Sequence, residues 1–315
     1  MKEAYVSMFN MKRLSLLFIL CVLSFLSDAQ TWRYVRHEVS FGVGASNFMG
    51  DLGGSKGIGT HGIKDLRVRP TRPTLMGTYK YMITPSVSVK GTVIWGYVYG
   101  DDALTKNVIR NNRNLSFRSM LGEISAIGEF YPWGERVTPN YKVSGVYGGA
   151  AFTISPYFFT GIGVSFFNPK TTFNDDWVAL QPLGTEGQGL SGRPDKYKRV
   201  TLVIPMGAGL KYYIDKQWSL SLELSLHYTM SDYIDDVSTS YYYSDQIQAA
   251  NGGDAGALSD RAIDPSLGWT GAVALSDGRS LYQQRGNPKY NDAYMFAIFS
   301  VNYRFKKGEN FIPKF

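Results

Sequence analysis

The sequence predicts an all-β protein, an eight-stranded antiparallel transmembrane β-barrel with short periplasmic turns and long extracellular loops. Three observations predict it. A leader of the export type opens the chain, and eight segments of alternating apolar and polar residues follow it with no competing helical stripe. Beyond the leader no apolar run is long enough for a membrane helix, yet 15% of the residues are aromatic, with 22 Tyr and 34 Gly. Strands that alternate lipid-facing and lumen-facing side chains keep average hydropathy low, which reconciles these facts.

Lys12 and Arg13 precede the apolar run from Leu14 to Phe25, and Ser27, Asp28 and Ala29 follow it. Charge, apolar core and small-residue site in that order make a secretory signal peptide. The run, about a dozen residues, falls short of the roughly 20 that a spanning helix needs. Residues 1–29 are therefore read as a cleaved signal peptide and 30–315 as a single outer-membrane barrel domain of a Gram-negative bacterium, with Met11 the better initiator. Cys21, the sole cysteine, lies inside the apolar run behind Leu20 rather than a small residue, so the mature chain has no lipidated cysteine, disulfide or thiol chemistry.

The strands are expected at Glu38–Asn47, Leu75–Ile83, Val87–Tyr99, Leu115–Tyr131, Tyr157–Phe167, Val200–Ile214, Trp218–Tyr228 and Tyr294–Phe305. Thr84, Pro85 and Ser86 form one tight turn and Asp215, Lys216 and Gln217 another, while long, exposed loops follow the first, third, fifth and seventh strands. The connection Pro132–Pro156 breaks the alternation: parity puts it on the periplasmic side although it is no tight turn. Aromatics gather at the strand ends as two interfacial girdles, with Tyr81, Tyr131, Trp133, Tyr212, Trp218, Tyr303 and Phe305 at one level and Tyr97, Tyr99, Phe166, Tyr228 and Tyr294 at the other. Leu220, Leu222, Leu224 and Leu226 face lipid, as do Met295, Ala297, Phe299 and Val301.

The inward parity carries Glu38, Glu123, Glu129 and Glu223 against Lys80, Lys90, Lys211 and Arg304. An eight-stranded barrel is just wide enough for side chains to fill, so these residues read as a lumenal ion-pair network. The competing reading makes Glu123 and Glu223 a carboxylate pair for acid–base chemistry. His37, His61 and His227 lie on separate segments without zinc-site spacing. Asp232, Asp235 and Asp236 lack the alternation and glycine turn of an EF-hand, so an arginine-paired or solvated loop is the alternative to calcium. Gly50–Gly54 opens no helix that would cradle phosphate, and no nucleophile elbow appears. A net charge of +7 comes from scattered Lys and Arg without a basic run, which argues against nucleic acid. No cofactor is expected.

Four stretches carry a family resemblance: Ser46–Gly53 with Gly50 and Asp51, Asn114–Arg118, Ser231–Ser238 with Asp232, Tyr233, Asp235 and Asp236, and Arg285, Gly286 and Asn287. Through them the chain resembles the PorG-like outer-membrane proteins of the Bacteroidota type IX secretion system. The resemblance implies a non-enzymatic component, surrounded by outer-membrane lipids, that tethers or stabilises a periplasmic ring of PorK/PorN-like proteins. Docking surfaces would then be Gln30–His37, Pro132–Pro156 and Lys306–Phe315. The loops Asn168–Arg199 and Thr229–Ala293 are long for that family, which keeps open a ligand-binding, adhesive or small transport barrel that uses its outer loops.

Overall fold

A computed structural model describes residues 36–52, 70–135, 154–215, 217–267, 270–274 and 280–305. The leader, Gly53 and Gly54, His61, Lys216, most of Pro132–Pro156 and the tail Lys306–Phe315 lie outside the described residues. Alternation of side chains becomes the strands β1 (His37–Met49), β2 (Arg72–Thr84), β3 (Val87–Asp101), β4 (Ser116–Phe130), β5 (Ile154–Phe173), β6 (Asp176–Ala179), β7 (Val200–Tyr213), β8 (Trp218–Thr229), β9 (Ala272–Ala274), β10 (Ser280–Tyr282) and β11 (Ala293–Arg304). Eight of them, β1 to β5 with β7, β8 and β11, form one antiparallel ring. It closes where β11 meets β1, with Glu38 opposite Arg304 and Met49 opposite Ala293.

The eight expected strands are the eight of the ring; β2 and β5 begin three residues earlier than expected, the other ends but one fall within two residues, and the largest shift has an identifiable reason. β5 runs to Phe173 rather than Phe167 because its outer end pairs with β6 across the two-residue turn Asn174–Asp175. Both turn residues have positive φ, 50° and 68°, the type I′ geometry that asparagine and aspartate tolerate in tight hairpins.

Ring closure leaves none of the eight barrel strands as an edge strand, and the outer wall is apolar. Val89, Val93 and Trp95 on β3, Ile124 and Phe130 on β4, Phe158 and Phe166 on β5 and Leu222 and Leu224 on β8 all project outward, and Ile162 is 72% exposed. Apolar surface on this scale is unsustainable in water. On β4 the belt extends from Met120 to Phe130, matching the roughly 9–11 residues with which a tilted strand crosses a bilayer. The barrel therefore spans a membrane with its strands; no described helix is long and apolar enough to do so.

Two girdle assignments fail. Tyr131 and Tyr294 are buried and point into the lumen, where their hydroxyls meet carboxylates. Trp133, Trp218 and Phe305 at one end, and Phe166 and Tyr228 at the other, are exposed as a girdle requires. The outer loops also differ from the expectation of exposed connections. The described residues between 230 and 292 fold over the mouth with the short helices α2 (Ser244–Asn251) and α3 (Gly253–Ser259), and Ile234, Val237, Tyr241, Ile247 and Leu258 are buried. Of these, Ile234, Val237 and Leu258 cover the apolar inward residues of the outer half of the barrel, among them Met76, Ile94, Val98, Phe117, Leu121, Phe167, Phe296 and Ile298. Sequence alternation does not reveal this plug, because its residues are spread over loops without a period.

If the belt faces lipid, Leu224→Arg near the middle of β8 should destabilise the barrel by about 2–4 kcal/mol, read by denaturant unfolding in phospholipid vesicles. A change below about 0.5 kcal/mol would place that face elsewhere.

Candidate functional site

The lumen is filled in two tiers, and its periplasmic half is polar. Lys80 Nζ lies 2.9 Å from Glu135, 3.3 Å from Glu38 and 3.7 Å from Glu129. Lys90 bridges Glu129 at 2.9 Å and Glu223 at 2.6 Å. Lys211 pairs with Glu38 and lies 2.8 Å from Glu135, and Arg304 meets Glu135 and lies 3.1 Å from Glu38. Tyr157 donates to Glu223 at 2.7 Å, Tyr131 to Glu129 at 3.1 Å and Tyr213 to Glu135 at 3.1 Å. Free space among these side chains is about 10 Å³, barely room for one water.

The expected set of eight charges needs one exchange. Glu123 is not in this lattice. Glu135, four residues beyond the expected end of the fourth strand, takes its place, and four carboxylates then face four cations. Gly134, with φ 73°, turns the chain after β4 so that Glu135 enters the barrel from below, its amide donating to Pro85 O at 2.5 Å. Loop position hid Glu135 from period-two reasoning; the oddity of a long periplasmic connection is its only trace in the sequence.

Glu123 sits higher on β4 and accepts from Tyr294 at 2.8 Å, with His227 Nδ1 also 2.8 Å away. Glu123 and Glu223 thus serve different partners and do not form a carboxylate pair. His227 Nε2 lies 2.9 Å from Ser225 Oγ, so the order Ser225, His227, Glu123 follows the hydrogen-bond sequence of an acyl-transfer triad. All three residues are buried, and the imidazole is stacked on Tyr294 at 5.2 Å and packed against Phe296 at 4.8 Å. Such burial gives a substrate carbonyl no approach to the hydroxyl.

At the outer mouth the four motif stretches converge. Arg113 ends helix α1 (Val108–Arg113), beside Asn114 in the left-handed conformation. Its guanidinium forks Asp102 at 2.7 and 2.9 Å and donates to Asp51 O at 2.9 Å and Arg285 O at 2.5 Å. Arg285 in turn donates to Asp236 O at 2.7 Å and Glu186 at 3.2 Å. Gly286 is required because a Cβ there would strike Asp51 and the Ser238 backbone. The carboxylates staple loop amides: Asp51 accepts from Asn287 N at 2.6 Å, Asp235 from Leu52 N at 2.9 Å, and Asp292 from Ile234 N at 2.8 Å. Tyr233 stacks on Tyr197 at 4.7 Å, and Tyr197 donates to Asp236 at 2.6 Å. Sequence pattern does not single out Glu186, Asp102, Arg113 or Asp292, since each acquires meaning only when loops far apart in the chain meet.

Burial, then the charge of Asp51, raises the Asp235 carboxyl well above its ordinary range, and burial with Asp235 and Asp232 does the same to Asp292. Burial pushes Asp232 up to about 9 and Asp236 to about 6, the latter against the pull of Arg285. Among the described residues, no group of three or more His, Cys, Asp or Glu is arranged to hold a metal ion. Asp235 and Asp236 tie loops together, Asp235 through the amides of Leu52 and Val237 and Asp236 through Tyr197 and Thr185 with Arg285 at 3.9 Å, whereas both carboxylate oxygens of Asp232 are buried without a hydrogen-bond partner among the described residues.

Fold and site together define a small membrane-spanning β-barrel whose lumen is closed by ion pairs below and by an apolar plug under a polar knot above. The chain belongs to the family described as a domain of unknown function, DUF6089, whose model matches residues 12–254. That description carries no link to a secretion system. No curated protein matches the sequence. Among solved structures the chain is similar to the attachment invasion locus protein Ail of Yersinia pestis in complex with the heparin analogue sucrose octasulfate (9% identity, 86% of this chain and 99% of that one, TM-score 0.36). It is also similar to the outer membrane protein W of E. coli (14%, 86% and 98%, 0.35) and a major outer membrane protein of Thermus thermophilus (11%, 85% and 99%, 0.36).

Two outcomes follow. Glu135→Ala should destabilise the barrel by about 3–5 kcal/mol in denaturant unfolding, because it leaves Lys80, Lys211 and Arg304 crowded on Glu38 with one buried positive charge uncompensated; a loss under about 1 kcal/mol would show that the latch is dispensable. The raised aspartates set a pH dependence of known sign. A carboxyl whose folded pKa exceeds its unfolded value, about 4, binds its proton more tightly when folded, so stability is fully present below pH about 4 and is lost as pH rises. The loss should extend through about pH 6 for Asp236 and about pH 9 for Asp232. The thermal midpoint should therefore fall from pH 5 to pH 9, and Asp232→Asn should flatten the slope; an unchanged slope in that variant would remove Asp232 as a contributor.

Proposed function

We propose that this chain is a non-enzymatic, non-conducting barrel of the outer membrane, exported with a cleaved signal peptide. In this reading it anchors or stabilises periplasmic machinery of the type IX secretion kind, a ring of PorK/PorN-like proteins. The observation that carries the reading is the lumen closed in two tiers: a barrel with no passage serves as a rigid membrane anchor. The resemblance through Ser46–Gly53, Asn114–Arg118, Ser231–Ser238 and Arg285–Asn287 supports it, because these stretches meet in one structural knot. Docking would fall to the periplasmic face, in Gln30–His37, the connection around Trp133 and Glu135, and Lys306–Phe315.

A second reading, an outer-surface binding barrel, is favoured by one feature: the loop between β8 and β11 is a packed dome with its own helices. Co-purification of the full chain from detergent-solubilised outer membranes, followed by mass spectrometry, separates the two. Recovery of periplasmic ring proteins and loss of protein export in a deletion strain are expected; intact export in that strain would overturn the secretion role. In planar bilayers the purified chain should give no discrete conductance steps, and stable channels would overturn the sealed anchor.

A further inference from the structure

The charges of this barrel are treated differently inside and outside. In the lumen and the outer mouth, Lys80, Lys90, Lys211, Arg113, Arg285 and Arg304 all face carboxylates. On the exterior, immediately above the lipid belt, a row of cations has none. Period two places Arg118 on the same face of β4 as Met120 and Ile124, and Lys170 on the same face of β5 as Ile162 and Phe166. Among the described residues neither lies within ion-pair distance of a carboxylate. The same holds for Arg199, beside the start of β7, whose Nη1 donates to Asn168 Oδ1 at 3.1 Å.

The register makes this arrangement costly as it stands. Arg118 and Lys170 are direct cross-strand partners, and like charges directly opposite repel. Aromatic rings hold Arg118 in place without neutralising it. Its guanidinium lies 3.8 Å over Trp177, at the tip of the β5–β6 hairpin, and 5.3 Å from Tyr97, while the neighbouring Arg72 lies 4.3 Å over Tyr99. A guanidinium stacked by its face keeps its N–H edge available for a forked bond to phosphate. Beside these side chains is a recess of about 300 Å³ lined by Arg72, Tyr99, Arg118, Thr172 and Trp177. Its Arg118 wall stands one outward position above Met120, the upper end of the apolar belt on β4.

We propose that this outer rim is a binding site for a phosphorylated lipid of the outer leaflet, whose phosphate sits between Arg118 and Lys170 and whose acyl chains run down the belt past Met120, Ile162 and Phe166. Apolar wall below and unpaired cations above reproduce the order of tail and anionic headgroup, which commits the site to a lipid rather than to a free anion. The inference requires the barrel to sit in the outer membrane with its long loops outward and is independent of any secretion role.

The test is native mass spectrometry of the full-length barrel in detergent, titrated with bis-phosphorylated lipid A, with chemically dephosphorylated lipid A, and with inorganic phosphate. Retention of the phosphorylated lipid, at least about tenfold weaker retention of the dephosphorylated one, and no adduct with inorganic phosphate are expected, since a charge-assisted fork is lost with the phosphate. Arg118→Ala/Lys170→Ala should reduce retention by about tenfold or more. Lys106→Ala/Lys289→Ala, which removes the same charge from exposed outer loops, should not. Heat-modifiable gel mobility confirms that each variant remains a barrel. Equal binding of the two lipids, or equal binding by the two double variants, would overturn the proposal; capture of inorganic phosphate alone would replace the lipid with a soluble anion.

Discussion

Everything in this molecule follows from the requirement that no backbone N–H or C=O meet lipid unpaired. A helix satisfies it within one segment; a sheet satisfies it only by closing on itself. Here β1 must find β11 across the whole length of the chain, and the register from Glu38 with Arg304 to Met49 with Ala293 leaves no position of the seam unpaired. Closure at eight strands then sets the interior, which is narrow enough for side chains to span and too narrow for water to solvate a charge freely.

That second consequence explains the two tiers. Ionised groups in such a space are tolerable only when each is matched and hydrogen-bonded, so the periplasmic half balances Glu38, Glu129, Glu135 and Glu223 against Lys80, Lys90, Lys211 and Arg304. Above Glu123, which is matched to Tyr294 and His227, the outer half is lined mainly by apolar side chains. Its inward Met, Ile and Phe residues require apolar cover, which Ile234, Val237 and Leu258 supply from the long loop. Loops that bend inward must in turn satisfy their own backbone, and the aspartates of the knot accept from Leu52, Ile234 and Asn287 for that reason.

How much of this is legible in the sequence depends on whether a residue's role is set by period or by encounter. β8 reads directly, because Leu222 and Leu224 alternate with Ser221, Glu223 and Ser225 and a period-two pattern has one interpretation at a membrane. Seven of the eight proposed lumenal charges fall in the lattice for the same reason, and Glu123 falls on the correct face but at the wrong height, since parity fixes the face and not the neighbour. Tyr131 and Tyr294 mislead because a tyrosine at a strand end suits a headgroup and a lumenal carboxylate equally well. Glu135, Glu186 and Arg113 are illegible: a turn or a loop has no period, and their partners are supplied by segments as distant as Arg304 and Arg285.

Burial of charge therefore means opposite things on the two faces of one wall. A lumenal cation without a carboxylate is a defect that the fold cannot carry, and Glu135 is drawn in from outside the strands to prevent it. An exterior cation is exposed to whatever solvent lies at its height. Low in the wall that solvent is hydrocarbon, and the belt from Met120 to Phe130 carries no charge at all. One step above Met120 the outward position is Arg118, opposite Lys170, at the level where Trp177 and Tyr97 mark the edge of the apolar phase. The change from uncharged to cationic over a single outward position locates the lipid boundary on this side of the barrel more sharply than the aromatics do, because an aromatic ring tolerates both sides of that boundary and an unpaired guanidinium tolerates only one.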